Sequence, residues 1–179
     1  MNTDISVSSK ITEYLNEQLA MENAVADRLV TRIHETSMPD FKQHLEQNLR
    51  ETMTRQESMY QLITNLGGKP TDSKADLPHL DQSYKNTIEE LKNRVESLTV
   101  DHERESTKSA ENKMHKIKED IMIEAARAIS YKILLRIAQE ANIQDAIPLV
   151  EQSIKEVEST LYWIIDNTST MIDKIMAKD

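Results

Sequence analysis

The sequence predicts an all-α protein, a bundle of long antiparallel helices, on three observations. Good helix formers dominate a chain with only two Gly, four Pro and 4% aromatic residues against 30% charged ones. Apolar residues recur at a spacing of three and four over long stretches, the period of a half-buried helix. Only one long break interrupts them, and it holds both glycines and half of the prolines. A strand-rich fold would need more turns. At 179 residues the chain suits one domain, 1–179, and a domain near this size buries roughly 70% of the surface its unfolded chain exposes.

The first helical pattern starts near Thr3 or Asp4 and aligns Ile11, Leu15, Leu19, Ala26, Leu29 and Ile33. Thr36, Ser37 and Pro39 stop it. After Pro39 and Asp40 comes a second stripe, Phe41, Leu45, Leu49, Thr52, Gln56, Met59, Ile63 and Leu66, closed by Gly67 and Gly68. So short a connection makes the pair an antiparallel hairpin. Residues 67–83 read as a long crossover loop. Residues 84–110 read as an inserted helical or polar segment: Ile88, Leu91, Val95 and Leu98 keep a narrow seam, and Asp101 to Lys113 lacks any large apolar residue. Whether 84–142 is one helix or two stays open at this stage.

A third stripe carries Met114, Ile117, Ile121, Glu124, Ala128, Tyr131, Leu135 and Ala138, ending near Asn142. The fourth begins at Asp145 with Pro148 in its first turn and carries Ile147, Val150, Ile154, Val157, Leu161, Ile165, Thr168, Ile172 and Ile175. Two helical hairpins joined by a long crossover are the ferritin-like form of the four-helix bundle, here with an inserted extra helix.

Charge and composition exclude several functions. A net charge of −9 opposes contact with phosphate backbones or anionic lipid, so no nucleic-acid or membrane partner is expected. The polar start and the lack of an apolar run of ~18 residues predict neither a secretion signal nor a membrane span, leaving the cytoplasm as the expected location. Without Cys any metal must be held by carboxylate and imidazole. Ser and Thr have no His–Asp constellation, and no glycine-rich phosphate loop is present.

Two acids interrupt the apolar stripes. Glu22 lies three residues after Leu19 and four before Ala26, and Glu124 lies three after Ile121 and four before Ala128. Both are expected to face the interior, where an ionised carboxylate is costly unless paired, hydrogen-bonded or metal-bound. Glu22 and Glu51 sit roughly 22 and 18 Å from the first turn along antiparallel helices at 1.5 Å per residue, so they are expected to approach each other.

Four segments then carry a resemblance: Ala20-Met21-Glu22-Asn23-Ala24, Asn48-Leu49-Arg50-Glu51-Thr52, Glu124 to Tyr131, and Ile143 to Leu149 with Lys155-Glu156-Val157-Glu158. In order and separation they resemble the YciF-like family of ferritin-like proteins, over about 130 residues outside the polar insertion. The resemblance implies a stress-associated four-helix bundle, commonly a homodimer, with the fold of di-iron carboxylate proteins. Against the family pattern, Asn48 stands where a histidine is usual and Arg50 where a glutamate is usual. Arg127 replaces the second glutamate of the third helix, and Val157 takes the inward position of the fourth. Glu156 points away by helical angle, and Glu158 lies near the stripe edge as the alternative ligand.

A ferritin-like di-metal site wants about four Glu and two His from four helices. The surviving ligand candidates are Glu22, Glu51, Glu124 and one of Glu156 or Glu158, for two Fe or Mn ions. The favoured alternative is a metal-free polar cluster of Glu22, Glu51, Glu124, Arg127 and Tyr131, in which the Arg127 fork compensates the buried acids. No catalytic residue or cofactor-binding residue is assigned. The expected function is a non-catalytic structural or interaction protein with a degenerate di-metal site, the competing one a di-iron or di-manganese oxidoreductase or peroxide scavenger. His34, His44, His79, His102 and His115 form no pair at helical spacing; His44 is two turns from Glu51. The nine Met read as core filler, and Trp163, opposite the fourth stripe, as a mark of a dimer or partner surface.

Overall fold

The computed structural model describes secondary structure for residues 3–78 and 101–177, and side chains for residues 10–78 and 109–177. The described residues form four helices: α1 (Thr3–Glu35), α2 (Pro39–Asn65), α3 (Asp101–Glu140) and α4 (Ala146–Met176). They contain no strand. From residue 101 onward the polar stretch is continuous with α3, one helix of 40 residues, and the part of the predicted insertion at 84–100 lies outside the described residues.

The chain forms two compact units, one of Met1–Leu77 with Ala125–Thr160 and one of Pro78–Glu124 with Leu161–Asp179. The first unit is the four-helix bundle, built from α1, α2, the C-terminal part of α3 and the N-terminal part of α4. Its core joins Ile11, Leu15 and Leu19 of α1, Met59 and Ile63 of α2, Tyr131, Leu134 and Ala138 of α3, and Val150 and Val157 of α4. In the second unit α3 buries Ala110, Ile117 and Ile123, and α4 buries Ile164, Met171 and Ile175.

Chain reversals follow from backbone chemistry. Pro39 opens α2 at its first turn, where the missing N–H costs no helical hydrogen bond. At the other end Gly67 adopts φ 79°, and the Gly67 and Gly68 amides donate to Thr64 and Ile63 carbonyls at 3.0 and 2.9 Å. This is the Schellman closure, whose left-handed residue costs glycine little. Asn142, at φ 54°, ends α3 in the same way, with the Ile143 amide donating to the Ala138 carbonyl at 2.9 Å.

The described part of the crossover, residues 67–78, is strapped along α1. The Asn16 side chain donates to the Lys69 carbonyl at 3.0 Å and accepts from the Thr71 amide at 2.8 Å. One turn or two further on, Asn23 donates to the Thr71 and Ser73 carbonyls at 3.3 and 3.0 Å, and Gln56 of α2 holds the Asn23 oxygen at 2.8 Å. A loop without its own helix thus satisfies backbone groups on neighbouring amides.

On α2 and α4 polar residues displace the expected stripe, and on α1 and α3 Ala26, Ile33, Met114, Ile121 and Leu135 are half-buried rather than buried. On α2 the inward seam runs through Asn48, Thr52 and Arg55, all buried, while Leu49 and Gln56 are half-buried. On α4 Ile165 is exposed, and Ser153, Thr160 and Ile164 are buried instead. Both seams keep an even alternation of three and four that passes through polar residues. Ser153 tolerates this because its hydroxyl donates to the Leu149 carbonyl at 2.8 Å.

Gly67→Ala is expected to destabilise the protein by about 1 kcal/mol, the cost of a Cβ in the left-handed region, whereas Asn142→Gly should be neutral or slightly stabilising. Urea unfolding of both variants checks this; an unchanged midpoint for Gly67→Ala would contradict it.

Candidate functional site

Near the centre of the first unit, each of its four helical segments sends one long charged side chain toward a single point. Glu22 of α1 is fully buried, as is Arg127 of α3, and Arg55 of α2 is 3% exposed. Glu156 of α4 reaches in from the surface, its side chain 23% exposed.

The Glu22 carboxylate is the hub. Its Oε2 accepts from Arg127 Nη2 at 2.8 Å and from Arg55 Nε at 3.2 Å. Its Oε1 accepts from Tyr131 Oη at 3.0 Å, Arg127 Nε at 3.2 Å and Gln18 Nε2 at 3.4 Å. Arg127 therefore grips both oxygens with two parallel N–H groups, the bidentate geometry that a planar guanidinium matches to a carboxylate.

The remaining donors are also used. Arg55 Nη1 donates to Glu156 Oε2 at 2.5 Å, and Gln152 holds the other Glu156 oxygen at 2.9 Å. Thr52 Oγ1 accepts from Arg55 Nη2 at 3.0 Å and Arg127 Nη2 at 3.2 Å, and Asn48 Oδ1 lies 3.5 Å from Arg127 Nη1. Two guanidinium cations face the carboxylates of Glu22 and Glu156, so these four charges cancel. Such a balance is what makes buried charge tolerable.

Protonation follows from this geometry. Burial alone would raise the Glu22 carboxyl, but attraction to Arg127 and then to Arg55, with hydrogen bonds from Arg127 and Tyr131, outweighs it and holds the group below the usual carboxylate range. Tyr131 is pushed well above the usual phenol value, first by burial and then by the Glu22 charge. It stays a neutral donor. Half-buried His44 is lowered by burial.

Of the residues singled out in the sequence, the structure brings Glu22, Arg127 and Tyr131 into one cluster. Glu51 is not part of it. It is half-buried and accepts from Gln47 on its own helix at 2.7 Å, because the inward seam of α2 passes through the next residue, Thr52, about 100° round the helix. Glu124 is buried in the second unit. Glu158 pairs with Lys132 at 2.6 Å at the surface. Glu156, expected to point away, instead turns its side chain back to Arg55, beside the buried Val157. Among the described residues no group of three or more His, Asp or Glu is arranged to hold a metal ion. Arg55 and Gln18 are contributors that the sequence reading does not name, while Asn48, named there at a histidine position, lies beside Arg127. Arg55 lies three residues after Thr52 and four before Met59, a seam position visible to periodicity that ignores polarity.

A four-helix bundle with a long crossover and side chains converging from all four helical segments has the ferritin-like fold. The chain belongs to the family DUF892, a domain of unknown function, which it matches over residues 8–177. It is similar to the stress protein YciF of E. coli at 17% identity and a TM-score of 0.63, covering 100% of both chains. A Desulfovibrio desulfuricans bacterioferritin with a di-iron site is similar at 18% identity and a TM-score of 0.71, covering 98% of this chain and 91% of that one. A ferritin-like di-iron carboxylate protein from Bacillus anthracis is similar at 15% identity and a TM-score of 0.67, covering 93% and 98%. At these identities the likeness is one of fold. No curated protein sequence matches the chain. No helix among the described residues is long and apolar enough to cross a membrane.

Truncating Arg127 to Ala is expected to cost about 3–5 kcal/mol, since it strands a buried carboxylate; Tyr131→Phe should cost about 1–3 kcal/mol by removing one donor. Losses below about 0.5 kcal/mol in denaturant titrations, the size of a surface substitution, would contradict the cluster. The pH dependence has a defined sign. Because the folded-state pKa of Glu22 is depressed, its contribution is fully present above the ordinary carboxylate range and is lost as pH falls through the folded value. Glu22→Gln should therefore flatten the acid limb of the stability profile, and an unchanged slope would count against the pairing.

Proposed function

We propose that this protein is a ferritin-like bundle whose di-metal centre has been replaced by an internal ion-pair cluster, and that it acts as a non-catalytic structural or interaction protein. The observation that carries this reading is the placement of Arg55 and Arg127 on the Glu22 carboxylate. A dinuclear centre needs several inward carboxylates free to bind and bridge cations. Here the fully buried Glu22 has both oxygens engaged by cations, and the neighbouring inward positions are Asn48, Thr52, Arg55 and Arg127. A dication beside two guanidinium groups would meet repulsion rather than charge to neutralise. The residues present do not fit the metal pair. The setting is proposed to be a stress response, on the strength of the likeness to the E. coli stress protein.

Elemental analysis after aerobic incubation with ferrous iron and gel filtration tests this directly. The expected result is far less than one iron per chain, with the same content in Glu22→Gln. Two tightly held metal ions per chain, lost on that substitution, would overturn the reading in favour of a di-iron or di-manganese oxidoreductase.

A further inference from the structure

The crossover meets α1 mainly through its own backbone. Asn16 donates to the Lys69 carbonyl at 3.0 Å and accepts from the Thr71 amide at 2.8 Å. Asn23 donates to the Thr71 and Ser73 carbonyls at 3.3 and 3.0 Å, and the Ala75 amide donates to the Ala20 carbonyl at 2.9 Å. A carboxamide carries the donor and the acceptor of a peptide unit, so it pairs with a passing chain whatever side chains that chain bears. Asn16, Ala20, Asn23 and Asp27 follow one another by four, three and four residues, which sets them on one face of the helix. Ala20 is short enough to let a loop amide reach a helix carbonyl.

This face is organised independently of what lies on it. Gln56 of α2 donates to the Asn23 oxygen at 2.8 Å, which turns the Asn23 NH2 outward, and donors fixed beforehand lower the cost of binding. The occupant is held lightly. None of residues 69–76 is buried, and Asp72, Ser73 and Lys74 are exposed. Its charged contact with α1 is the exposed pair of Lys74 with Asp27, of a kind worth little in water. The tight anchor lies just before it, where a Cβ on Gly68 would stand 3.0 Å from side-chain carbons of Ile63 and Thr12. A segment with exposed hydrogen bonds and no buried apolar side chain belongs to the low-stability end of a structure and opens without the bundle unfolding.

None of these contacts depends on the loop's belonging to the same chain. Any segment that offers the same carbonyls and amides, with a base opposite Asp27, satisfies the face equally well, a main-chain mode of peptide recognition. We infer that the α1 face of Asn16, Ala20, Asn23 and Asp27 is a binding site for an irregular, base-bearing polypeptide segment of a partner protein, and that residues 69–75 occupy it until that partner displaces them.

This inference names the class of partner for the interaction role proposed above and rests on that reading only for its purpose; metal content decides the one and peptide binding the other. The test is an NMR titration, with a synthetic peptide of residues 67–77 as probe, that follows the side-chain NH2 signals of Asn16 and Asn23 in the full chain. Thr71→Pro/Ala75→Pro removes the two loop amides that α1 accepts and leaves the face intact. This open variant is expected to bind the peptide at least about tenfold more tightly than the wild type, whose own loop competes at high effective concentration. Adding Asn16→Ala/Asn23→Ala to it, or using a peptide with Lys74→Glu, should weaken binding, whereas a peptide with Asp72→Ala/Ser73→Ala should bind as before. In the wild type, the Thr71 and Ala75 amides should exchange with deuterium at least about a hundredfold faster than those of Leu15 and Leu19 in the core of α1. Four results would each overturn the proposal: no saturable binding to an open variant of unchanged helix content, binding indifferent to the two asparagines, loop amides that exchange only as slowly as the core, or an open variant that assembles into a larger species than the wild type, which would give the site to the loop of a second copy.

Discussion

The rest of the bundle is arranged around one carboxylate taken out of water. An ionised Glu22 with no exposed surface has a desolvation cost of several kcal/mol, and only matched donors recover it. Arg127 must arrive edge-on from α3 to bond both oxygens, Arg55 must extend from α2 to reach the second oxygen, and Tyr131 must present its hydroxyl from one turn further along α3. Each requirement fixes the rotation of a helix about its own axis and its level relative to α1. Apolar residues alone would tolerate sliding by a turn, whereas this cluster does not.

The same interaction explains why neighbouring polar residues are where they are. Thr52 and Asn48 accept guanidinium N–H groups that Glu22 leaves over, and Glu156 with Gln152 completes the outer side of Arg55. A buried polar network is favourable only when its members are satisfied. On the proposed reading the resident cations are covalent parts of the chain, so the cluster of Glu22, Arg55, Arg127 and Glu156 is neutral without any ion being recruited. Four helices shaped to converge on a central point would then be retained as a scaffold, its outer faces open to interaction.

Much of the fold was legible in the sequence because helix boundaries are written in local chemistry. Thr36 with Ser37, Gly67 with Gly68, and Asn142 mark the ends of α1, α2 and α3 within a residue or two, and the apolar stripes found Ile11, Leu15, Leu19, Met59, Ile63, Val150 and Val157. The stripes failed where a polar residue occupies the seam. Arg55 lies on the seam of α2 but is not apolar, so an apolar stripe does not include it, and on α4 Ser153 and Thr160 hide the drift that exposes Ile165. Glu22, Arg127 and Tyr131 were identifiable because a charge inside an apolar repeat demands compensation. Glu51 misled because axial level was matched without the angle around the helix, and Glu156 because a three-carbon side chain spans an angular error that its Cα position suggests is prohibitive.

The central claim is that Glu22 is held ionised by two arginines rather than waiting for a metal, and titration of the Glu22 side-chain carboxyl by carbon-13 NMR in metal-free protein tests it most directly. The account predicts a carboxylate that remains ionised below the usual range, with its titration moved upward in Arg127→Met. A carboxyl that titrates at or above the ordinary value in the metal-free protein, and falls only when divalent cation is added, would contradict it.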